Sequence, residues 1–129
     1  MLNNVSICGR LVKDCSLEQV GSQTVKTRFT VAVNRDYKDR DGNYPCDFID
    51  CEAWNAAANF LEQYARKGDV LTVSGSLRKD TWKDNNDAWQ SRVYISVNSV
   101  NIVAQVPEQE EEEEEKKPAP KKRSRSMRV

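Results

Sequence analysis

Histidine is absent from the 129-residue sequence, and neither a glycine-rich phosphate-binding motif nor a C-x-x-C pair occurs. Without histidine, the commonest general base is missing and no Ser-His or Cys-His nucleophile can be assembled. The cysteines do not follow the two-pair spacing of structural zinc sites, because they stand at positions 8, 15, 46 and 51. We therefore expect free thiols, no metal, no cofactor and no catalytic residues, which argues against an enzyme.

Long apolar runs are lacking as well. No stretch approaches the roughly 18 residues that a membrane helix needs, and the opening segment MLNNVSICGR shows no basic part followed by an apolar one. We therefore expect a cytoplasmic protein without a signal peptide. Charge of one sign is also missing, since 20 Lys and Arg balance 20 Asp and Glu. A nucleic-acid partner, which usually binds a basic protein, would require a locally positive groove on this neutral chain.

The composition changes abruptly at residues 106–107. Beyond that point the sequence reads EQEEEEEE and then KKPAPKKRSRSMRV. Like charges repel one another and offer no apolar surface to bury, so this segment is expected to be disordered. The sequence predicts one domain over residues 1–105 and a disordered charged tail over residues 106–129.

Alternation of apolar and polar residues predicts five strands in the domain. The alternation is clearest in TVKTRFTVAVN, residues 24–34, where one face carries Val25, Thr27, Phe29, Val31 and Val33. The other predicted strands cover residues 3–12, 47–54, 70–82 and 89–103. This period of two indicates strands that are buried on one side.

One helix, residues 55–66, is predicted between the third and fourth strands, with Asn55 as a candidate cap. Gly9 interrupts the first strand and indicates a bulge or a bend. Short alternating strands with a single intercalated helix predict an all-β fold, a five-stranded Greek-key barrel of OB type. An open two-layer α+β sandwich is the alternative.

Four aromatic residues fall outside the predicted core. Tyr37 lies in a charged connection, Phe48 and Trp54 on the polar face of the third strand, and Trp82 at the end of the fourth. Trp89 is an additional candidate. The cations near these rings are Arg35, Lys38, Arg78, Lys79 and Lys83. Rings stack on bases of any sequence while cations follow the phosphates, so this pattern is typical of a single-strand binder, although any one ring could be a half-buried anchor.

Acidic side chains accompany the aromatic residues of the third strand. Asp50 and Glu52 share a strand face, about 6–7 Å apart from the strand rise. With no partner ligands visible in the sequence, we interpret these carboxylates as surface charges rather than as an acid–base pair or a metal site.

Four segments, in this order and spacing, resemble the bacterial single-stranded DNA-binding protein family. They are MLNNVSICGRLVKD, RFTVAVNRDYKD, DFIDCEAWNAAANFLEQYARKGD and VSGSLRKDTWKD, which together span nearly all of residues 1–105. The resemblance implies that Tyr37, Phe48, Trp54 and Trp82 are base-stacking residues. It also implies a homotetramer of OB folds around which DNA wraps, acting in replication, recombination and repair in a bacterial cell or a phage-infected host, in association with the nucleoid.

The sequence departs from this family at three places. Cys15 stands where a proline is common, and the loop at residues 85–87 lacks the usual glycine. The last residues, SRSMRV, are basic and contain no aromatic side chain. The family commonly ends in an acidic, aromatic-tipped peptide that recruits repair and replication enzymes, so this departure argues against recruitment by that route. It suits a phage, plasmid or accessory member.

Two other functions use the same pattern. An OB-fold RNA-binding module would employ the same rings and differ only in a preference for ribose. A replication adaptor would keep the fold without the groove, but the four aromatic positions argue against that loss. For the tail, our hypothesis is that its acidic and basic blocks partly neutralise each other and tune DNA affinity modestly, with solvation alone as the alternative.

Overall fold

The computed structural model describes residues 1–106 and contains six strands and one helix in this part of the chain. The elements are β1 (Val5–Leu11), β2 (Glu18–Val20), β3 (Thr24–Asn34), β4 (Cys46–Trp54), α1 (Asn55–Tyr64), β5 (Val70–Lys83) and β6 (Trp89–Ala104). The five predicted strands and the helix are all present. The extra strand, β2, is only three residues long and forms a hairpin with β3. Apart from Val106, the predicted tail lies outside the described residues.

The strands close into a ring. Neighbouring strands follow the order β1-β5-β6-β4-β3, and β1 also pairs with β3 through Arg10–Ala32 and Leu11–Val31. All pairs are antiparallel except β4 and β6, which run parallel at Cys51–Ile95 and Glu52–Ser96. This closure confirms the predicted five-stranded barrel of OB type and excludes the open sandwich. The strand β2 extends the sheet outside the ring.

Two glycines permit the close backbone contacts that closure needs. At Gly9, just before β1 pairs with β3 as well as with β5, a Cβ atom would overlap the carbonyl oxygen of Ala32. At Gly75, a Cβ atom would overlap the carbonyl oxygen of Ser96, next to the register shift between β5 and β6. The predicted bend at Gly9 therefore reflects a backbone crossing that has no room for a side chain.

The core lies inside the barrel and beneath α1. Its strand residues alternate with outward-facing ones, as predicted for β3, where Thr27, Phe29 and Val31 are buried and Val25 and Val33 pack against the core. The helix adds its own apolar face against β3 and β4. The buried residues outside β3 include Leu11, Cys51, Ala53, Ala58, Leu61, Leu71, Val73 and Ile95.

The start of α1 differs from the prediction. Asn55 is not the cap but the first helical residue, and its φ of 50° lies in the left-handed region, which asparagine tolerates better than most residues. Its side-chain oxygen instead accepts a hydrogen bond from the Val25 backbone N–H at 3.2 Å. The asparagine thus turns the chain sharply after Trp54 and ties the helix start to β3.

The loop after α1 is organised by a buried carboxylate. Asp69 is fully buried, and its side chain accepts hydrogen bonds from the backbone N–H groups of Arg66 and Val106, each at 2.9 Å. Its own carbonyl oxygen accepts a bond from the Leu11 N–H at 2.9 Å. One residue therefore joins the helix loop to the end of β1 and to the chain beyond β6.

The four cysteines are free thiols, and two of them belong to the core. Burial raises the pKa of Cys15 to about 11 and that of Cys51 to about 12. Since the thiolate is the reactive form, both are suited to packing rather than chemistry. Within residues 1–106, no helix is long and apolar enough to cross a membrane.

Replacing Gly9 with alanine tests the barrel crossing. The new methyl group would meet the backbone of Ala32, which cannot rotate away, so we expect Gly9→Ala to lower the free energy of unfolding by about 1–3 kcal/mol. Urea denaturation measures this. Ser6→Ala, at an exposed site on the same strand, is the control and should change stability little. Equal stability of the two variants would contradict the claim that the backbone of Ala32 leaves no room for a side chain at position 9.

Candidate nucleic-acid interface

The outward-facing side chains of β3, β4, β5 and β6 form a continuous surface that we name the outer face. On β4, Cys51 and Ala53 point into the core, so Phe48 and Trp54 point outward, 65% and 36% exposed. The two rings lie six positions apart, which corresponds to about 20 Å along β4. The outer face therefore offers two separate aromatic platforms on one strand.

The neighbouring strand β3 determines what surrounds each platform. Ala32 pairs with Phe48 and leaves that ring uncovered, whereas Lys26 pairs with Trp54. The Lys26 Nζ atom lies 5.3 Å from the centre of the Trp54 ring. A cation thus flanks the second platform, and sequence reasoning had not included Lys26 among the site residues.

The strands β5 and β6 continue beyond the barrel as a two-stranded ribbon, residues 77–83 and 89–95. On the outer face of the ribbon, Trp82 pairs with Gln90 and Arg78 pairs with Tyr94. Trp82 is 45% exposed. Because the parallel pair of Glu52 and Ser96 joins β4 to β6, the Trp82 ring lies on the same side of the sheet as Phe48 and Trp54.

The opposite face of the ribbon carries a different set of residues. Lys83 pairs with Trp89, and its Nζ atom lies 5.1 Å from the centre of that ring. Lys79 shares this face by strand alternation. Lys83 therefore lies beside Trp89 rather than beside Trp82, and Lys79 lies opposite Val93 on that same face. The pairing of these lysines with Trp82, inferred from proximity in sequence, was wrong.

The connection between β3 and β4 holds Tyr37, which is 54% exposed. The Arg35 guanidinium donates hydrogen bonds of 2.9, 3.0 and 3.3 Å to the Asp47 carboxylate and one of 2.8 Å to the Tyr37 hydroxyl. Hydrogen bonding from Arg35 lowers the pKa of Asp47. Lys38 lies 5.7 Å from the centre of the Tyr44 ring. Arg35 therefore orients Tyr37 while its own charge is balanced by Asp47.

A buried carboxylate occupies the middle of the outer face. The Glu52 side chain is only 7% exposed, and its Oε2 atom lies 3.1 Å from Arg28 Nε, 3.7 Å from Lys26 Nζ and 3.8 Å from Arg92 Nη2. We name these four residues the Glu52 cluster. The interpretation of Glu52 as a surface charge was wrong, because three cations from two neighbouring strands cover it.

Tyr94, although outward-facing, is not an available platform. The Arg92 guanidinium carbon lies 4.1 Å from the centre of its ring, and Tyr94 as a whole is only 6% exposed. The Tyr94 hydroxyl donates a 3.4 Å hydrogen bond to Asp80, which also lies 3.8 Å from Arg92. Burial raises the pKa of Tyr94. This tyrosine thus supports Arg92 rather than offering a stacking surface.

The tip of the ribbon explains how the loop folds without a glycine. Asp87 adopts a φ of 69°, in the left-handed region. The Asp84 side chain accepts hydrogen bonds from the backbone N–H groups of Ala88 and Asn86 at 3.0 and 2.9 Å, and this bonding lowers the Asp84 pKa.

Residues 1–106 contain no group of three or more acidic, cysteine or histidine side chains arranged to hold a metal ion.

A sequence model of the Single-strand binding protein family matches residues 2–103. The chain belongs to this family. Relatives named single-stranded DNA-binding protein occur in several bacteria. Single-stranded DNA-binding protein 1 of Streptococcus pyogenes serotype M18 is 36% identical to this chain over 96 residues. The match covers 74% of this chain and 72% of the relative.

Two further relatives named single-stranded DNA-binding protein show the same level of similarity. The Enterococcus faecalis protein is 36% identical over 96 residues, covering 74% of this chain and 50% of its own. The protein from Caldanaerobacter subterraneus is 37% identical over 95 residues, covering 72% of this chain and 63% of its own. In these two relatives, the match therefore spans less than two thirds of their length.

Within this single-strand binding family member, three predicted stacking residues share one face. These are Phe48, Trp54 and Trp82, while Tyr37 lies in a loop and Trp89 on the far side of the ribbon. Sequence reasoning missed the Glu52 cluster. The alternation of β3 placed Lys26 and Arg28 on a polar face, but only the strand register brings them to Glu52.

Tryptophan substitutions test which face of the ribbon contacts nucleic acid. We expect Trp54→Ala and Trp82→Ala each to weaken binding of oligo-dT by roughly 1–3 kcal/mol, the value of one stacked base. Trp89→Ala is the matched control, because Trp89 is exposed but faces away. Fluorescence anisotropy with a labelled strand gives the affinities, and thermal unfolding verifies the fold. A greater loss in Trp89→Ala than in Trp82→Ala would reverse the assignment.

Proposed function

We propose that this chain binds single-stranded DNA with little sequence preference and without catalysis. Bases stack on Phe48, Trp54 and Trp82, with Tyr37 as a fourth platform at the edge. The observation that carries this proposal is the placement of three exposed rings on the outer face. The family membership and the relatives' common name support the same ligand.

Sequence tolerance follows from how the platforms recognise a strand. Every base has a π-face, so stacking on an aromatic ring depends little on base identity. A duplex hides these faces between its own base pairs. The exposed rings of the outer face therefore favour an unpaired strand.

We assign phosphate contacts to the cations around the rings. These cations supply the local positive charge that a chain without net charge needs in order to bind nucleic acid. Arg78 lies on the outer face with Trp82, and Lys38 lies in the loop that holds Tyr37. Lys79 and Lys83, on the opposite face of the ribbon, serve a strand that passes over the ribbon edge, and Trp89 on that face is assigned no stacking role. Arg35, already paired with Asp47, contributes through the position of Tyr37 as well as its charge.

The proposed biological role is protection of single strands during replication, recombination and repair, on nucleoid DNA in the cytoplasm. The assembly we propose is a homotetramer. One edge of β1 supports self-association, because β1 pairs with β3 only at Arg10 and Leu11, and no other strand of the described chain covers that edge over residues 5–9. An uncovered strand edge can pair with a second copy. Sedimentation equilibrium gives the mass and thus the number of chains.

Titration of the full chain with three ligands tests the function. We expect tryptophan fluorescence to be quenched by oligo-dT, less by oligo-U of equal length and least by duplex DNA. The affinity should fall with salt, with a log–log slope of about −0.7 for each phosphate neutralised on a single strand. Tightest binding to oligo-U would favour an RNA-binding module, and absence of binding to all three would leave only the adaptor function.

A further inference from the structure

We propose that the Glu52 cluster is a preassembled binding site for one backbone phosphate, at the centre of the outer face, in which Arg28 makes the contact and Glu52 positions it. This inference rests on the proposed binding of single-stranded DNA. It assigns the contact to a residue outside the cations that sequence reasoning had selected.

Strand register brings the cluster together. Arg28 on β3 pairs directly with Glu52 on β4, and Lys26 is two residues away on the same face. Arg92 reaches the same Oε2 atom from β6. Three cations from the two strands that flank β4 thus converge on a single oxygen atom of Glu52. Their arrangement is therefore a property of the sheet rather than of a flexible loop.

The charge of the cluster is not balanced by its own carboxylate. Lys26, Arg28 and Arg92 carry three positive charges, and the carboxylates within 4 Å of them are Glu52 and Asp80. Three positive charges against two negative ones leave one positive charge in excess. A phosphodiester carries one negative charge, so a bound phosphate would neutralise the cluster.

Arg28 is the member best placed to meet that phosphate. Its side chain is 55% exposed, against 14% for Lys26 and 22% for Arg92. Only its Nε atom is engaged, by Glu52 at 3.1 Å. Among residues 1–106 no other group bonds to its two terminal nitrogens. A guanidinium held at Nε presents those nitrogens as a planar fork, which matches two phosphate oxygens.

The buried Glu52 explains why this arginine is effective. An arginine that is free in solution loses rotamer entropy when it is immobilised by a ligand. Here the ion pair to Glu52 has already restricted the Arg28 side chain before DNA arrives. Glu52 is therefore a positioning residue, and the cations around it prevent its charge from repelling the strand.

The position of the cluster fits a strand that stacks on the adjacent rings. Lys26 contacts the Trp54 ring, and Arg92 covers Tyr94 at the base of the ribbon. Along β4, Glu52 lies two residues from Trp54, or about 7 Å. A strand that stacks bases on both Trp54 and Phe48 would run along β4, and its backbone would pass Arg28, which pairs with Glu52 between the two rings.

Three variants of the full chain test this site, with oligo-dT as the probe and affinity measured across a series of salt concentrations. Arg28→Gln should weaken binding several-fold at low salt and reduce the magnitude of the log–log salt slope by about 0.7, one phosphate contact. Arg28→Lys should retain the slope, because the charge remains, yet bind more weakly than the parent because the fork is lost. Lys67→Gln removes an exposed cation in the loop after α1, away from the outer face and the ribbon, and should leave the slope unchanged.

The outcomes separate this inference from the function on which it rests. If the parent chain fails to bind oligo-dT, the proposed function is wrong and the phosphate site falls with it. If the parent binds and Arg28→Gln has the same salt slope as Lys67→Gln, the phosphate site alone is wrong. Arg28→Lys keeps a cation beside Glu52 and so remains informative even if Arg28→Gln unfolds; affinity equal to the parent would then overturn the role of the fork.

Discussion

Closure of the sheet is the constraint on which the other features depend. The sheet becomes a ring only because the end of β1, still paired with β5 at Arg10, also pairs with β3 at Arg10 and Leu11, a crossing that Gly9 makes sterically possible. Once the ring is closed, every strand has an inside and an outside, and alternation assigns each side chain to one of them. Phe48 and Trp54 are exposed because Cys51 and Ala53 between them are buried.

The same constraint organises charge on a neutral chain. Acidic residues of the outer face are paired with cations across strands, with Glu52 beneath Arg28 and Asp80 3.8 Å from Arg92. Where carboxylates are held by neighbours in this way, they cost little repulsion toward an anionic ligand. A locally positive surface can therefore exist on a domain without net charge.

The sequence supported much of the fold, since period-two alternation over β3 and β4 identifies which residues face inward without knowledge of the partner strands. The three-residue strand β2 was missed because it is too short to show a period. The left-handed conformation of Asn55 was missed because its side chain bonds to β3, a partner 30 residues away. Local patterns contain no information on such contacts.

The candidate site was predictable only where it follows from alternation within a single strand. Exposed aromatic positions follow from alternation within one strand, and Phe48 and Trp54 were found in this way. The Glu52 cluster depends on the register between β3 and β4 and on the parallel pairing of β4 with β6, which no single segment reveals. Neighbours in sequence such as Trp82 and Lys83 were grouped together although consecutive residues of a strand face opposite sides.

Photochemical cross-linking of the full chain to oligo-dT, followed by mass spectrometry of the linked peptides, tests the central claim most directly. If the strand lies across the outer face, cross-links should form at Phe48, Trp54 and Trp82. Cross-links confined to Trp89 and the opposite face of the ribbon, or to α1, would contradict the account.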